Sequence, residues 1–363
     1  MLFRISALKL SKSKLLRIGV IGTGFITDSF HLPAFRSLND VQVAAVAGND
    51  PKRTSKFASK WGIKESYSGQ GAIEKLCKSE NVDAVDVAVP NDLHLPAIEA
   101  AAENHKAIIC EKPLGRNSEE ARQALSVARK YGIIHCYAED EVFAPQLTRA
   151  KSLVDSGALG KLTWVRAREA HSGPHSKWFY DPERSGGGTI IDMGCHSIET
   201  GRYFMEKKKP ESVCAWIATL YHKTRAEDNS LVLVKYPGGA LSQNEDSWTA
   251  RGGADGRFEI YGTEGSIFVD IARETGIRAF ITGAGGKSGY IVEKADASVG
   301  WMFPVWGEYI TGGFLDEMKH FTECIRNEEK PRETFEDGLI VNELMDGAYK
   351  SAKESRWVTP FKG

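Results

Sequence analysis

Two groups able to move a proton stand where the sequence can aim them. Lys112 lies in Glu111-Lys112-Pro113, directly after the apolar run 107–110. A residue before proline is held in extended backbone, so its side chain is aimed rather than left to wander. Asp192 and His196 are four apart in Asp192-Met193-Gly194-Cys195-His196. On one helix over 189–205 they share a face, where the carboxylate can orient the imidazole for proton transfer near neutral pH. Taken singly, a lysine is usually a solvated charge and an Asp–His pair usually a helix ion pair. The run Ser185-Gly186-Gly187-Gly188 before the pair favours chemistry, because glycines there let a cofactor or substrate come close.

A third stretch supplies a place for a dinucleotide. The strand 17–21 runs into Gly22-Thr23-Gly24-Phe25-Ile26-Thr27, where Gly22 allows a sharp turn and Gly24 lets the backbone approach a pyrophosphate at a helix N-terminus. Thr27 stands where a third small residue is usual. A lone Gly-x-Gly is weak, but a strand before it and a helix after it are the required context. With Lys112, His196 and Asp192 as the acid–base set, the chemistry indicated is hydride transfer between a CH–OH carbon and nicotinamide. The second strand ends Ala47-Gly48-Asn49-Asp50-Pro51-Lys52-Arg53. Gly48 occupies the place of the acid that binds a ribose 2′-hydroxyl, and Asn49, Lys52 and Arg53 can meet a 2′-phosphate, so NADP is expected over NAD. The bland alternative is that Asp50 caps the next helix and the basic pair is solvated.

These groups need a scaffold. The chain has 363 residues, too many for one core, so two domains are expected. Over 17–138, β-branched runs at 17–21, 41–47, 84–89, 107–110 and 133–137 alternate with helical periods at 26–36, 54–61, 95–103 and 118–131. This is the pattern of a doubly wound α/β Rossmann domain with a parallel sheet. Over 139–340, longer strands are expected at 162–169, 213–220, 230–236, 240–247, 257–261, 266–270 and 277–282. With helices near 313–325 and 338–354 they describe an α+β domain with a large, mostly antiparallel sheet. Residues 341–363 pack back as a helix and tail, and basic residues 1–16 read as a solvated extension. The six cysteines are scattered with no Cys-x-x-Cys pair, which indicates a reducing compartment, the cytoplasm. No apolar run reaches membrane length, and a net charge of −1 gives no footprint for nucleic acid or an anionic membrane.

The combination Gly22-Thr23-Gly24, Pro90-Asn91-x-x-His94, Glu111-Lys112-Pro113 and Asp192-x-x-x-His196 resembles the Gfo/Idh/MocA family of NAD(P)-dependent sugar and polyol oxidoreductases. The likeness spans roughly residues 17–358. It implies that Lys112 and His196 are the catalytic pair with Asp192 alongside, and that Pro90, Asn91 and His94 line the nicotinamide. It places Phe25, Ile26 and Glu111 at the cofactor too. Residues 47–52 are similar to the Ser-Gly-Asn-x-x-Lys of the NADP-using glucose-fructose oxidoreductase branch. The stretch Tyr137-Ala138-Glu139-Asp140-Glu141 departs from the family, where an arginine or asparagine is common, so the polar group that meets substrate there is open.

Substrate contacts are expected from Lys112, Glu139, Asp192, His196 and the segment His171-Ser172-Gly173-Pro174-His175-Ser176-Lys177-Trp178, whose aromatic and hydroxyl-rich wall suits a sugar ring. Trp178 is equally consistent with a core aromatic. His171 and His175 with Glu139, Asp192 and His196 could in principle form a metal site, but four-residue spacing in a loop is poor for one and no metal is expected. Two other functions use the same residues: a lyase or glycosidase with transient oxidation by bound NAD, and a non-catalytic dinucleotide-binding regulator. Apolar residues at both alternating positions of 213–218 and 231–234 suggest a homodimer or homotetramer through the second sheet.

Overall fold

The computed structural model describes residues 15–174, 176–273, 279–281, 300–302 and 307–361. The first half is a βα alternation. It runs β1 (Leu16–Ile21), a π-helical turn (Thr27–His31) continuing as α1 (Leu32–Arg36), β2 (Val41–Gly48), α2 (Pro51–Trp61), β3 (Glu65–Ser68), α3 (Ala72–Cys77), β4 (Ala84–Val87), α4 (His94–Glu103), β5 (Ala107–Glu111), α5 (Ser118–Tyr131) and β6 (His135–Ala138). The strands are parallel in the order β3-β2-β1-β4-β5-β6. The order reverses between β1 and β4, and an open α/β sheet holds its ligand outside the carboxyl ends of strands at such a point.

Local chemistry sets these elements. Asp50 accepts the Arg53 N–H and Pro51 opens α2, while Gly62 closes it in the left-handed region at φ 65°. The cap of α5 is Asn117, which accepts from the Glu119 and Glu120 amides, one residue ahead of the Ser118 start read from sequence. Sequence periodicity misses β3 and α3: β3 is a polar edge strand and α3 spans six residues, too short to show a period.

The second half begins with α6 (Pro145–Asp155), β7 (Leu162–Ala170), α7 (Pro182–Ser185), α8 (Thr189–Asp192) and α9 (Gly194–Phe204). Five strands follow: β8 (Ser212–Ala218), β9 (Asn229–Lys235), β10 (Leu241–Ser247), β11 (Asp255–Gly262) and β12 (Ser266–Asp270). A short antiparallel pair, β13 (Ala279–Ile281) and β14 (Gly300–Met302), precedes α10 (Glu308–Thr311), α11 (Phe314–Asn327) and α12 (Phe335–Glu354). The expected strand 277–282 is thus seen at 279–281, its ends lying outside the described residues. The large sheet runs β12-β11-β7-β10-β9-β8; its pairs are antiparallel except β7 with β10.

One helix expected over 189–205 is two. Met193, at φ −117° and ψ −35°, interrupts it, and α9 restarts at Gly194. Helices α9 and α12 cover one face of the large sheet, α9 over β7 and β10 and α12 over β8, whereas α11 packs on α1 in the first half. The two halves share one apolar core that includes Val46, Phe143, Val165, Ile198 and Val341.

Candidate active site

A cavity of about 850 Å³ runs from the carboxyl ends of β1, β2, β4 and β5 to the inner end of the large sheet. Its dinucleotide end is lined by Gly22, Thr23, Gly24, Phe25, Ile26, Gly48, Asn49 and Arg53. Gly22 sits at φ 125°, and a Cβ there would collide with the Ala88 carbonyl, so the residue is fixed by the neighbouring strand. A Cβ on Gly24 would meet nothing closer than Arg53 Nη2 at 3.9 Å, leaving backbone exposed to the cavity. Arg53 reaches across α2's first turn and donates to Thr23 O at 2.7 and 3.0 Å. Lys52, expected beside it, points elsewhere: it lines a shallow depression with Ser55 and Lys56, because adjacent helix residues project about 100° apart.

Lys112, at the end of β5, donates from Nζ to Asp192 O at 2.6 Å and lies 3.6 Å from Asp192 Oδ1. Trp248 Nε1 donates to Asp192 Oδ2 at 2.8 Å. Burial opposes the ammonium charge, but Cys195, Asp192, Glu111 and Asp140 around it outweigh burial and raise its pKa above the ordinary value. Lys112 therefore enters any reaction as a donor. His196 Nδ1 lies 2.6 Å from Glu139 Oε1 and 3.7 Å from Asp140 Oδ1, and the ring lines the cavity. The carboxylate expected to orient the imidazole was Asp192. The break at Met193 ends the helical register, so Asp192 serves Lys112 and Trp248 while Glu139, from the end of β6, serves His196. Glu139 is fully buried behind the ring, a support for His196 and not the substrate contact expected.

Beneath Lys112 lies a chain of charges absent from the sequence reading. His31, with no exposure, places Nδ1 3.0 Å from both oxygens of Asp86 and Nε2 2.9 Å from Glu111 Oε1. Burial opposes the imidazolium, yet the two carboxylates prevail and raise its pKa to about 10. Glu111 Oε2 also accepts the Lys112 backbone N–H at 3.0 Å. An acid within the apolar strand Ala84–Val87 was the available clue to Asp86.

Two further expectations change. His94 is fully buried, outside the cavity lining, with ring nitrogens 2.9 Å from the Val89 and Pro113 carbonyls; it fastens the ends of β4 and β5 together and does not face a nicotinamide. Pro90 and Asn91 do line the cavity, Asn91 donating to Ser185 O at 2.7 Å. The glycine run makes room for protein, not ligand: Cβ atoms at Gly186, Gly187 and Gly188 would collide with Arg116 O, Tyr349 Oη and Glu227 O. His171 and Trp178 line the cavity, Trp178 stacked on Phe179 with centroids 3.8 Å apart, while His175 lies outside the described residues. Asp140 and Glu141, from the stretch whose substrate-facing group the sequence leaves open, line it too, as does Glu169, which the sequence does not single out.

Among the described residues, potential metal donors converge at Glu139, Cys195 and His196 and at Glu199, Glu333 and Asp337. The latter acids already meet Arg202 and Lys207, with Arg202 Nη2 2.5 Å from Asp337 and Lys207 Nζ 2.7 Å from Glu333.

A glycine cradle opening onto a buried amine and a carboxylate-backed imidazole is a site for dinucleotide-dependent chemistry at a carbinol. A model of an oxidoreductase family with an NAD-binding Rossmann fold matches residues 16–138, and a model of the GFO/IDH/MocA C-terminal domain matches residues 147–268. The chain belongs to the GFO/IDH/MocA family. Myo-inositol 2-dehydrogenase of Thermotoga maritima is 28% identical over 347 residues, covering 94% of this chain and 98% of that protein. Trans-1,2-dihydrobenzene-1,2-diol dehydrogenase of Mus musculus is 26% identical, covering 93% and 96%. Among solved structures, GenD2 from gentamicin A biosynthesis, in complex with NAD, matches with a TM-score of 0.88 at 26% identity, covering 96% and 97% of the two chains. Levoglucosan dehydrogenase in complex with NADH and levoglucosan matches at 0.80 and 25%, covering 96% and 100%. This GFO/IDH/MocA member is thus an oxidoreductase whose first half is an NAD-binding Rossmann fold, as its sequence motifs implied. None of its described helices is long and apolar enough to cross a membrane.

Proposed function

We propose that the protein oxidises a CH–OH group of a sugar or polyol, or reduces the corresponding carbonyl, with NADP preferred over NAD. The observation that carries this is the convergence of Lys112 Nζ and the Glu139-backed His196 ring on one cavity that the Gly22–Gly24 cradle also lines. The residues present fit a dinucleotide. Gly22, Thr23 and Gly24 would hold its pyrophosphate, Asn49 and Arg53 its adenosine ribose, and Pro90 and Asn91 would border its nicotinamide. When bound, the nicotinamide accepts or donates hydride at C4. Lys112 donates a hydrogen bond to the carbinol oxygen, and His196 takes the hydroxyl proton as the C–H bond breaks. Glu139 holds the ring through Nδ1. Asp192, fixed by Trp248, holds Lys112 in place.

The NADP preference rests on Arg53 and on Gly48. A Cβ at Gly48 would crowd Thr54 Oγ1, so an acid has no room at the strand end without repacking α2. A screen of sugars and polyols with each cofactor, followed by reduction of NAD(P)⁺, tests the activity. Product formed without net NAD(P)H would instead indicate a lyase. Fluorescence titration should show tighter NADPH than NADH binding in the wild type, and Arg53→Ala should lose that preference; a wild type that favours NADH refutes it.

Assembly belongs to the same proposal. The large sheet's face away from α9 and α12 carries Trp164, Trp216 and Phe268 at 41%, 53% and 68% exposure, a surface that supports a homodimer or homotetramer through this sheet. The six free cysteines support the cytoplasm as its compartment.

A further inference from the structure

We propose that the recess beside Lys112 and His196, floored by Asp140, Glu141 and Glu169, takes an ammonium group, so that the substrate is an amino sugar or aminocyclitol rather than a neutral polyol. This rests on the dehydrogenase reading above and narrows it.

The acids reach the recess from two elements. Asp140 and Glu141 lie on the 3₁₀ turn that follows β6, and Glu169 sits near the end of β7 with its side chain on the inner face of the sheet. All three line the same cavity as Lys112, His171 and His196. Glu141 is only 4% exposed, and its Oε2, like Glu169 Oε1, is buried with no hydrogen-bond donor among the described residues. Buried carboxylates are ordinarily met by donors or cations, because desolvation without a partner is costly. The cations nearby are already engaged: Lys112 Nζ with Asp192, and His196 with Glu139. Glu139 and Asp246, also buried, add to the surplus of acid. Burial pushes the pKa values of Asp140, Glu141 and Glu169 up from the usual carboxylate range, so a proton stands where a cation belongs.

The acids suit an ammonium better than a metal ion. Among the described residues, the groups whose donor atoms converge closely enough for one ion include neither Asp140, Glu141 nor Glu169. An ammonium carries three N–H donors that diverge and can reach separate carboxylates. The Trp178 ring, which lines the same cavity and stacks on Phe179, offers the apolar surface that a pyranose or cyclitol ring needs once one of its substituents is anchored.

Calorimetric titration of the protein saturated with NADP⁺ tests this at neutral pH. Glucosamine is compared with glucose and N-acetylglucosamine, and streptamine with myo-inositol. In at least one pair the amine should bind tenfold or more tighter than the parent alcohol, N-acetylation should remove the advantage, and titrations in buffers of different ionisation enthalpy should show a proton released as the ammonium replaces it. Glu141→Gln and Glu169→Gln should each shrink the amine-to-alcohol ratio, a change that loss of folding would not produce because both ligands would weaken together. Equal binding of amine and alcohol in both pairs overturns the inference. NADPH formed from neutral sugars with no amine preference sinks the inference and leaves the dehydrogenase; amine-selective binding with no NADPH formed from any sugar does the reverse.

Discussion

In the proposed mechanism Lys112 and His196 divide the proton work. Surrounded by acids, Lys112 would keep its proton and polarise the oxygen, leaving the substrate's proton to His196. Glu139 Oε1 lies 2.6 Å from His196 Nδ1 and so fixes the ring's orientation. In Glu139→Ala that hold is lost, and oxidation kcat/KM should fall by about tenfold or more, with partial recovery in Glu139→Gln, whose amide can still meet the ring. Wild-type rates in Glu139→Ala would show that Glu139 merely packs. Lys112 and His196 were legible because each follows a recognisable strand or glycine motif. Glu139 was legible only as a residue out of pattern, since its partner lies 57 positions away and spacing says nothing about such pairs. Asp192 is expected from spacing beside His196, and its carboxylate lies beside Lys112 Nζ and Trp248 Nε1.

At the scale of elements, the first π-turn, β4 and β5 are tied through Asp86, His31 and Glu111, placing the glycine loop and Lys112 on one charged spine. Breaking a buried pair by removing one member costs about 3–5 kcal/mol, so His31→Ala should lose stability of that order. The sign with pH follows from a folded pKa of about 10 against an ordinary 6.5. The stabilisation is complete below about pH 6.5 and disappears as pH rises through about 10. Denaturant unfolding of wild type and His31→Ala across that window should show the difference narrowing toward alkaline pH; a constant difference would contradict the charged spine. Most strands and helices could be read from period and capping residues, β3 and α3 excepted. The break at Met193 could not, because no proline marks it and the helical spacing of Asp192 and His196 reads straight across it. The triple glycine was visible, but what crowds it, Arg116, Tyr349 and Glu227, comes from three distant segments.

At the scale of the whole molecule, α12 returns from the second half to pack on α5, β6 and β8, and Gly338 lets it approach Leu114 and Tyr137 closely. The cavity lies between the two halves, which is why its glycine end could be read from one motif and its acidic floor could not. The open sheet face carries an apolar set around the Arg166–Glu259 and Arg168–Asp255 pairs. Light scattering should give at least twice the 40.0 kDa of one chain, and Trp216→Glu should lower that mass toward a single chain; a wild-type monomer across micromolar concentrations would contradict assembly through this face. Direct hydride transfer supported by Lys112 and His196 is tested most directly by following an isotope. With a turned-over sugar deuterated at the reacting carbinol carbon, the deuterium should appear at C4 of the reduced nicotinamide, and Lys112→Ala and His196→Ala should slow its appearance by about 10²–10⁴ while still binding cofactor. Deuterium lost to solvent, or wild-type rates in either variant, would contradict it.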